Sequence, residues 1–281
     1  MSAIAETFEP ERMLADLAEL DERTGGEGGA RRVCWTGPWA QARAWLGDRL
    51  EELGCDVERD EAGNLWAMAG GGTSALVVGS HLDSVPHRGR LDGALGIAAA
   101  LEVLRCPPAA VTVRLVDWAD EEGARFGQSL FGSRCVAGAL RPDSLVGVVD
   151  CDGNHIEDAL AAHGVDLHRA TEAARRLAGM SAYLELHIEQ GPVLEEQGLS
   201  CAAVTGAFGI ERHALRFSES AGHAGQTPMR RRRDAFVAAA RFVVDDVSAR
   251  FAAGGRAGAP PRPHDAPRVC PAGATATEAA R

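Results

Sequence analysis

The run Ala75-Leu76-Val77-Val78 ends in Gly79-Ser80-His81-Leu82-Asp83-Ser84-Val85-Pro86, and Gly89-Arg90-Leu91-Asp92-Gly93-Ala94-Leu95-Gly96 follows almost at once. A short apolar run closed by glycine and proline reads as a buried strand, and the alanine-rich stretch from Asp92 to Leu104 reads as a helix. This strand-to-helix passage constrains the chain more than any other stretch. Open α/β sheets bind ligands at the carboxyl ends of their strands, which is where His81, Asp83 and Asp92 fall. Neutral imidazole and carboxylate are ligands for Zn²⁺, Mn²⁺, Co²⁺ or Ni²⁺. Asp83 is placed to hydrogen-bond the second ring nitrogen of His81 and fix its tautomer.

The same alternation runs through the first two hundred residues. Helices are expected over 8–22 and 39–53, then two neighbouring strands around 56–60 and 64–68 joined at Glu61-Ala62-Gly63. Val111 to Val116 is a nearly continuous apolar strand that delivers Asp120-Glu121-Glu122-Gly123. Helical stretches follow over 129–139, 156–163 and 169–178, and a strand over 182–186 runs into His187-Ile188-Glu189-Gln190-Gly191-Pro192. Strands alternating with helices give an α/β class, a wound sheet with helices on both faces. Residues 1–206 form this part. At Gly206 the character changes: a strand over 210–217, a Gly- and His-rich loop over 218–229 and a helix over 233–251 begin a smaller α+β domain, 207–253. Residues 254–281 shift to Gly, Ala, Pro and Arg without apolar periodicity and read as disordered.

Charge and cysteine content narrow the function classes. A net charge of −11 argues against nucleic acid as the main partner, because phosphate binding needs clustered cations. Arg230 to Arg233 reads as a solvated helix entry. The seven cysteines include no C-x-x-C pair, the N-terminus has no signal-peptide pattern, and no apolar run is long enough for a bilayer. A cytoplasmic protein with free thiols, acting on a small molecule and on neither nucleic acid nor membrane, is the expectation.

His81, Asp92, Glu122 and His187 all sit at or just past strand ends or at a helix start. Singly, Asp92 reads as a helix N-cap, Glu121-Glu122 as an exposed acidic turn and His187 as a core histidine. Jointly they read as a site for two metal ions. Asp92 has two oxygens and can bridge ions about 3.5–4 Å apart, which polarise a carbonyl and lower the pKa of a bridging water. A further carboxylate must move the proton from that water to the leaving nitrogen, and Glu121 is the candidate.

Five segments carry a specific resemblance: 79–86, 89–96, Asp120-Glu121-Glu122-Gly123-Ala124-Arg125-Phe126-Gly127, Glu185 to Pro192, and Gly222-His223-Ala224-Gly225-Gln226-Thr227-Pro228-Met229 with Arg233-Asp234-Ala235. In this order and spacing the chain resembles the M20 peptidase superfamily, in particular its hydantoinase/carbamoylase branch of allantoate amidohydrolases, N-carbamoyl-L-amino acid hydrolases and β-ureidopropionases. The resemblance covers about residues 8–252. It implies two divalent ions, Zn²⁺ or Mn²⁺ first and Co²⁺ or Ni²⁺ as alternatives. His81 and His187 would hold one, Glu122 the other, and Asp92 would bridge. Glu121 would be base then acid, with Asp83 supporting His81. Gln190 would hold the substrate, and His223, in a lid and dimerisation domain, would stabilise the oxyanion in a partner subunit of a homodimer. The implied reaction is hydrolysis of a carbamoyl or ureido C–N bond. An inactive fragment and a dipeptidase-like hydrolase are the alternatives. Chains of this branch run longer and carry a lid Asn and Arg and a last ligand His; these are not recognisable here, so a C-terminally truncated chain is expected.

Overall fold

The structure, a computed structural model, describes residues 8–69, 75–107, 111–206, 215–218 and 220–247. The chain divides into two compact units between Cys201 and Ala202.

The first unit is built on a five-stranded sheet. Helices α1 (Pro10–Thr24) and α2 (Gly37–Glu52) flank a small ladder of β1 (Gly25–Gly26) and β2 (Gly29–Ala30). Strands β3 (Asp56–Arg59), β4 (Leu65–Ala69), β5 (Ala75–His81), β6 (Val113–Trp118) and β7 (Met180–Leu184) make the sheet in the order β3-β4-β6-β5-β7. β3 and β4 are an antiparallel hairpin, and β4 also runs antiparallel to β6. β5 is parallel to both β6 and β7. The carboxyl ends of β5, β6 and β7 therefore leave the sheet in one direction, with His81 opposite Trp118 across the ladder.

The central strands are apolar throughout because both faces are covered. Trp66, Val77, Val116 and Trp118 point into one core with α4 (Phe131–Val136) and α5 (Ile156–Ala162). Leu65, Ala67, Val78, Val113 and Leu115 point into the other, with α1, α2 and α3 (Ala94–Arg105). The period-two alternation of strand side chains thus splits one run of hydrophobic residues between two cores. The wound α/β sheet with helices on both faces is the observed architecture.

Several boundaries differ from the sequence expectation for identifiable reasons. α3 begins at Ala94, not Asp92, because Gly93 takes φ +64 and lies against His81: a Cβ there would come 2.2 Å from the His81 carbonyl oxygen. Asp92 therefore caps nothing and its carboxylate stays available. β7 ends at Leu184, where its ladder with β5 ends, which leaves Glu185 to Pro192 as loop. The stretch Ala170–Gly179 is 3₁₀, not α, and a short α6 (Val193–Gln197) had no clear periodic signal.

The second unit contains α7 (Ala235–Phe242), whose N-cap Asp234 accepts the Val237 N–H at 3.1 Å, followed by a π turn over Val243–Val247. The expected strand over 210–217 lies mostly outside the described residues, and so do the end of the expected helix and the 254–281 segment. Among the described residues no disulfide forms, and no helix is long and apolar enough to cross a membrane.

Candidate active site

β5 ends on His81, a buried side chain whose two ring nitrogens face different partners. Nδ1 lies 2.9 Å from the Asp83 carbonyl oxygen and 3.5 Å from its carboxylate. Nε2 faces Asp92 Oδ1 at 3.9 Å and Glu121 Oε2 at 3.7 Å. His187, three residues past β7, brings its Nε2 within 3.0 Å of the same Asp92 Oδ1, while its Nδ1 lies 2.7 Å from the Ile188 carbonyl. Carbonyls only accept, so both Nδ1 atoms carry hydrogen and both Nε2 atoms are left to act as ligands.

One ligand atom from each of His81, Asp92 and His187 falls within 4.8 Å of the others. Asp92 Oδ1 is buried and has no aligned hydrogen bond among the described residues, and the same is true of Glu122 Oε1. A buried carboxylate oxygen facing two imidazole nitrogens without a hydrogen bond is what a cation between them satisfies. The residues fit a divalent metal.

Crowded carboxylates favour a second proton on His81, which a metal at Nε2 would displace. Burial alone pushes His81 down, but the hydrogen bond and charge of Asp83 with the charge of Glu121 hold it up at about 10. Burial pushes Glu122 up to about 7, with His81 pulling it down and Asp92, Glu121 and Asp83 adding to the rise. Glu121 is also raised, by burial above all. Asp120 is fully enclosed and reaches about 8 through burial and the Asp83 charge, although Trp35 Nε1 donates to it at 3.0 Å. Carboxyls raised first by burial and then by one another's charge mark a pocket in which a cation would relieve the crowding.

The sequence-predicted residues divide as follows. The Asp83 carboxylate faces His81 Nδ1 at 3.5 Å and serves the loops as well. It accepts the backbone N–H groups of Glu121 (3.2 Å) and Glu122 (3.0 Å), tying the loop after β6 to the turn after β5, while its carbonyl takes the nearer place at Nδ1. Gln190, with φ +57, donates its amide to Asp92 Oδ2 at 2.5 Å. Glu122 lies outside the three-residue cluster, and its Oε1 carries no partner. His223 belongs to the second unit, where its exposed ring accepts the Gly225 N–H at 3.1 Å. Glu121 remains about one-third exposed beside His81.

Sequence reasoning passed over Glu185 and Tyr183. Ser80 Oγ donates to Glu185 Oε1 at 2.5 Å, Tyr183 donates to Oε2 at 2.7 Å, and Trp118 Nε1 donates to the Tyr183 oxygen at 2.8 Å. The available signal was the chain's single tyrosine alternating with a glutamate in a strand that leads to a histidine. A cavity of about 370 Å³ adjoins Glu121 and His187, walled by Trp118, Leu130, Val136 and Met180.

Residues 77–279 match the family described as Peptidase family M20/M25/M40. The match runs into the Pro-, Ala- and Arg-rich stretch past residue 254. The chain is 39% identical over 238 residues to an N-carbamoyl-L-amino acid amidohydrolase of Geobacillus stearothermophilus, covering 82% of this chain and 58% of that protein. It is 35% identical over 223 residues to the allantoate amidohydrolase of Escherichia coli, covering 76% and 54%. Among solved structures it is similar to a hydantoinase/carbamoylase family amidase from Burkholderia ambifaria, with TM-score 0.64 and 31% identity over 88% of this chain and 61% of that one. The chain thus spans little more than half the length of these relatives. On the extent of the match, and on a parallel sheet edge that gathers His81, Asp92 and His187, the chain belongs to the M20/M25/M40 peptidase family, and within it resembles the hydantoinase/carbamoylase amidases.

Proposed function

We propose that the chain carries the metal-binding machinery of an amidohydrolase that cleaves the carbamoyl or ureido C–N bond of a small N-carbamoyl amino acid or an allantoate-like acid. The observation that carries this reading is the convergence of two imidazole nitrogens on Asp92 Oδ1, with the partly exposed Glu121 carboxylate 3.7 Å from one of them. His81, Asp92 and His187 would hold one divalent ion and Glu122 would contribute to a second, Zn²⁺ and Mn²⁺ being the first candidates. Bound there, a divalent cation supplies a Lewis acid for the scissile carbonyl and acidifies water.

The chain's own residues do the rest. Glu121 accepts a proton from the attacking water as the new C–O bond forms, and returns it to the leaving nitrogen as the C–N bond breaks. Burial raises its pKa above the ordinary glutamate value, the direction that favours holding the proton before it is returned. Asp83 holds the Glu121 and Glu122 backbone in place through their N–H groups. Gln190 sits where its amide can exchange Asp92 for substrate. The apolar cavity beside Glu121 and His187 has room for the part of the substrate that does not react. In the proposed homodimer, formed through the second unit, His223 of the partner subunit faces the developing oxyanion.

Elemental analysis of purified, desalted protein tests the metal reading, with about two ions per chain expected. Assays on an N-carbamoyl-L-amino acid, allantoate and a dipeptide then test the reaction. Turnover of the carbamoyl or allantoate substrate with an inert dipeptide is expected. Protein that takes up no divalent ion overturns the proposal, and preference for the dipeptide replaces it with peptide hydrolysis.

A further inference from the structure

Leu82 is the single residue between His81 and Asp83, and both polar groups of its backbone are held by buried charged side chains. Its N–H donates to Asp117 Oδ1 at 2.8 Å, and its carbonyl accepts from Arg32 Nε at 2.7 Å. We propose that Arg32 and Asp117 are positioning residues of the metal site, which act through the Leu82 peptide to set the spacing of His81, Asp83 and Asp92. The proposal rests on the metal-site reading above.

Arg32 is fully buried, and its nearest carboxylate oxygen, Asp21 Oδ1, is 3.8 Å away. Of its other side-chain donors, Nη1 donates to Thr24 Oγ1 at 3.5 Å, and Nη2 goes to the loop that ends in Asp92. Nη2 reaches the carbonyls of Gly89 (3.5 Å) and Arg90 (3.4 Å), two to three residues before Asp92. The Arg32 backbone N–H donates to Ser84 Oγ at 3.1 Å, and the Ser84 N–H returns to the Arg32 carbonyl at 3.0 Å. One planar guanidinium therefore joins the turn after β5 to the loop that ends in Asp92. Replacing a buried ion by an apolar side chain of similar volume is often neutral or stabilising, so burial of Arg32 is weak evidence for a purely stabilising role. What the guanidinium does supply is a rigid fork that spans two loops, which a lysine ammonium does not.

Asp117 completes the clamp from the sheet. It is fully buried near the end of β6, paired in register with Ser80. Its Oδ2 accepts Arg43 Nε at 2.6 Å and its carbonyl accepts Arg43 Nη2 at 2.9 Å, while Arg43 Nη1 donates to the Gly63 carbonyl. The carboxylate is thus immobilised, and its free oxygen fixes the peptide directly after His81. β6 continues into Asp120 to Glu122, so Asp117 links the strand that leads to one set of site residues with the turn that carries the other.

The test uses Co²⁺ as the probe, titrated into wild type, Arg32→Lys, Asp117→Asn and Glu102→Gln, and followed by the visible absorption of the bound ion. Glu102→Gln is the control. It weakens a buried ionic cluster with Arg12 and Arg105 at the far end of α3, away from the site. Arg32→Lys and Asp117→Asn are expected to weaken Co²⁺ binding about 10–100-fold and to change the visible bands, as loss of partners behind metal ligands does. Glu102→Gln is expected to lower the melting temperature yet keep wild-type affinity and bands. Wild-type affinity and bands in Arg32→Lys overturn the proposal, and so does an equal loss in Glu102→Gln, which makes the effect one of general stability. If Arg32→Lys does not fold, Asp117→Asn gives the same reading: it keeps the side-chain volume, but its NH2 replaces one of the two oxygens that accept from Leu82 N–H and Arg43 Nε, so the clamp loses one of its ends. Wild-type protein that binds no Co²⁺ brings down the metal-site reading itself, and this inference with it.

Discussion

Asp92 shows how one carboxylate comes to serve a site instead of a helix. A residue of this type just before an alanine-rich helix ordinarily caps it. Here Gly93, held at φ +64 against the His81 carbonyl, separates the two, and Asp92 faces His81 and His187 with one oxygen and Gln190 with the other. Two expectations belong to this scale. Asp92→Ala is expected to lose all bound metal, measured by elemental analysis; ordinary metal content would remove Asp92 from the ligand set. Glu121→Gln is expected to keep its metal and lose turnover by about 10²–10⁴-fold, the usual contribution of a positioned proton carrier. Unchanged turnover in that variant would show that another group moves the proton.

At the scale of elements, the site depends on how closely α3 approaches β5 and the loop after β7. Gly96 lies at that approach: a Cβ there would come 2.5 Å from the Leu186 carbonyl oxygen and 2.6 Å from Ser80 Cβ. Gly96→Ala must push α3 away from the strand that carries His81 and from the segment that carries His187. Lower stability and weakened metal uptake together are expected, the first read by chemical denaturation and the second by dialysis against Zn²⁺. Gly47, within α2, offers the opposite case. Its added Cβ meets nothing within 4 Å, so Gly47→Ala is expected to raise stability by about 0.5–1 kcal/mol and leave metal uptake alone. A stable Gly96→Ala protein with full metal content would show that α3 has slack against the sheet.

At the scale of the first unit as a whole, the two cores are joined by the sheet, and buried ion clusters fasten their helices. Glu102 is fully buried in α3 and accepts hydrogen bonds from the Glu9 N–H, Arg12 and Arg105, which fastens the start of α1. Burial pushes its carboxyl up, but the hydrogen bonds from Arg12, the Glu9 N–H and Arg105 together outweigh burial and hold it below the ordinary 4.5. A carboxyl lowered on folding contributes stability that is complete above its unfolded pKa and lost as pH falls through the folded value. The melting-temperature gap between wild type and Glu102→Gln is therefore expected to be constant above about pH 5 and to narrow below it. A gap that widens on acidification would contradict the sign of the shift. The outer edge of β7 carries no paired strand among the described residues, and Leu184 and Leu186 are exposed there, so this edge is the least covered part of the sheet.

The alternation of apolar strands and helices, and hence the wound α/β class, could be read in the chain itself, because side-chain period and turn residues are local properties. The grouping of His81, Asp92 and Glu121-Glu122 was legible for the same reason: His81 and Glu121-Glu122 follow apolar runs, and Asp92 precedes an alanine-rich one. What each atom faces was decided only in three dimensions. The Asp83 carboxylate turns to N–H groups 38 and 39 residues away, Gln190 reaches Asp92 across 98 residues, and Arg32 is enclosed by loops 50 to 58 residues on. Burial and partner choice depend on which segments the sheet brings together, and no local spacing in the chain encodes that.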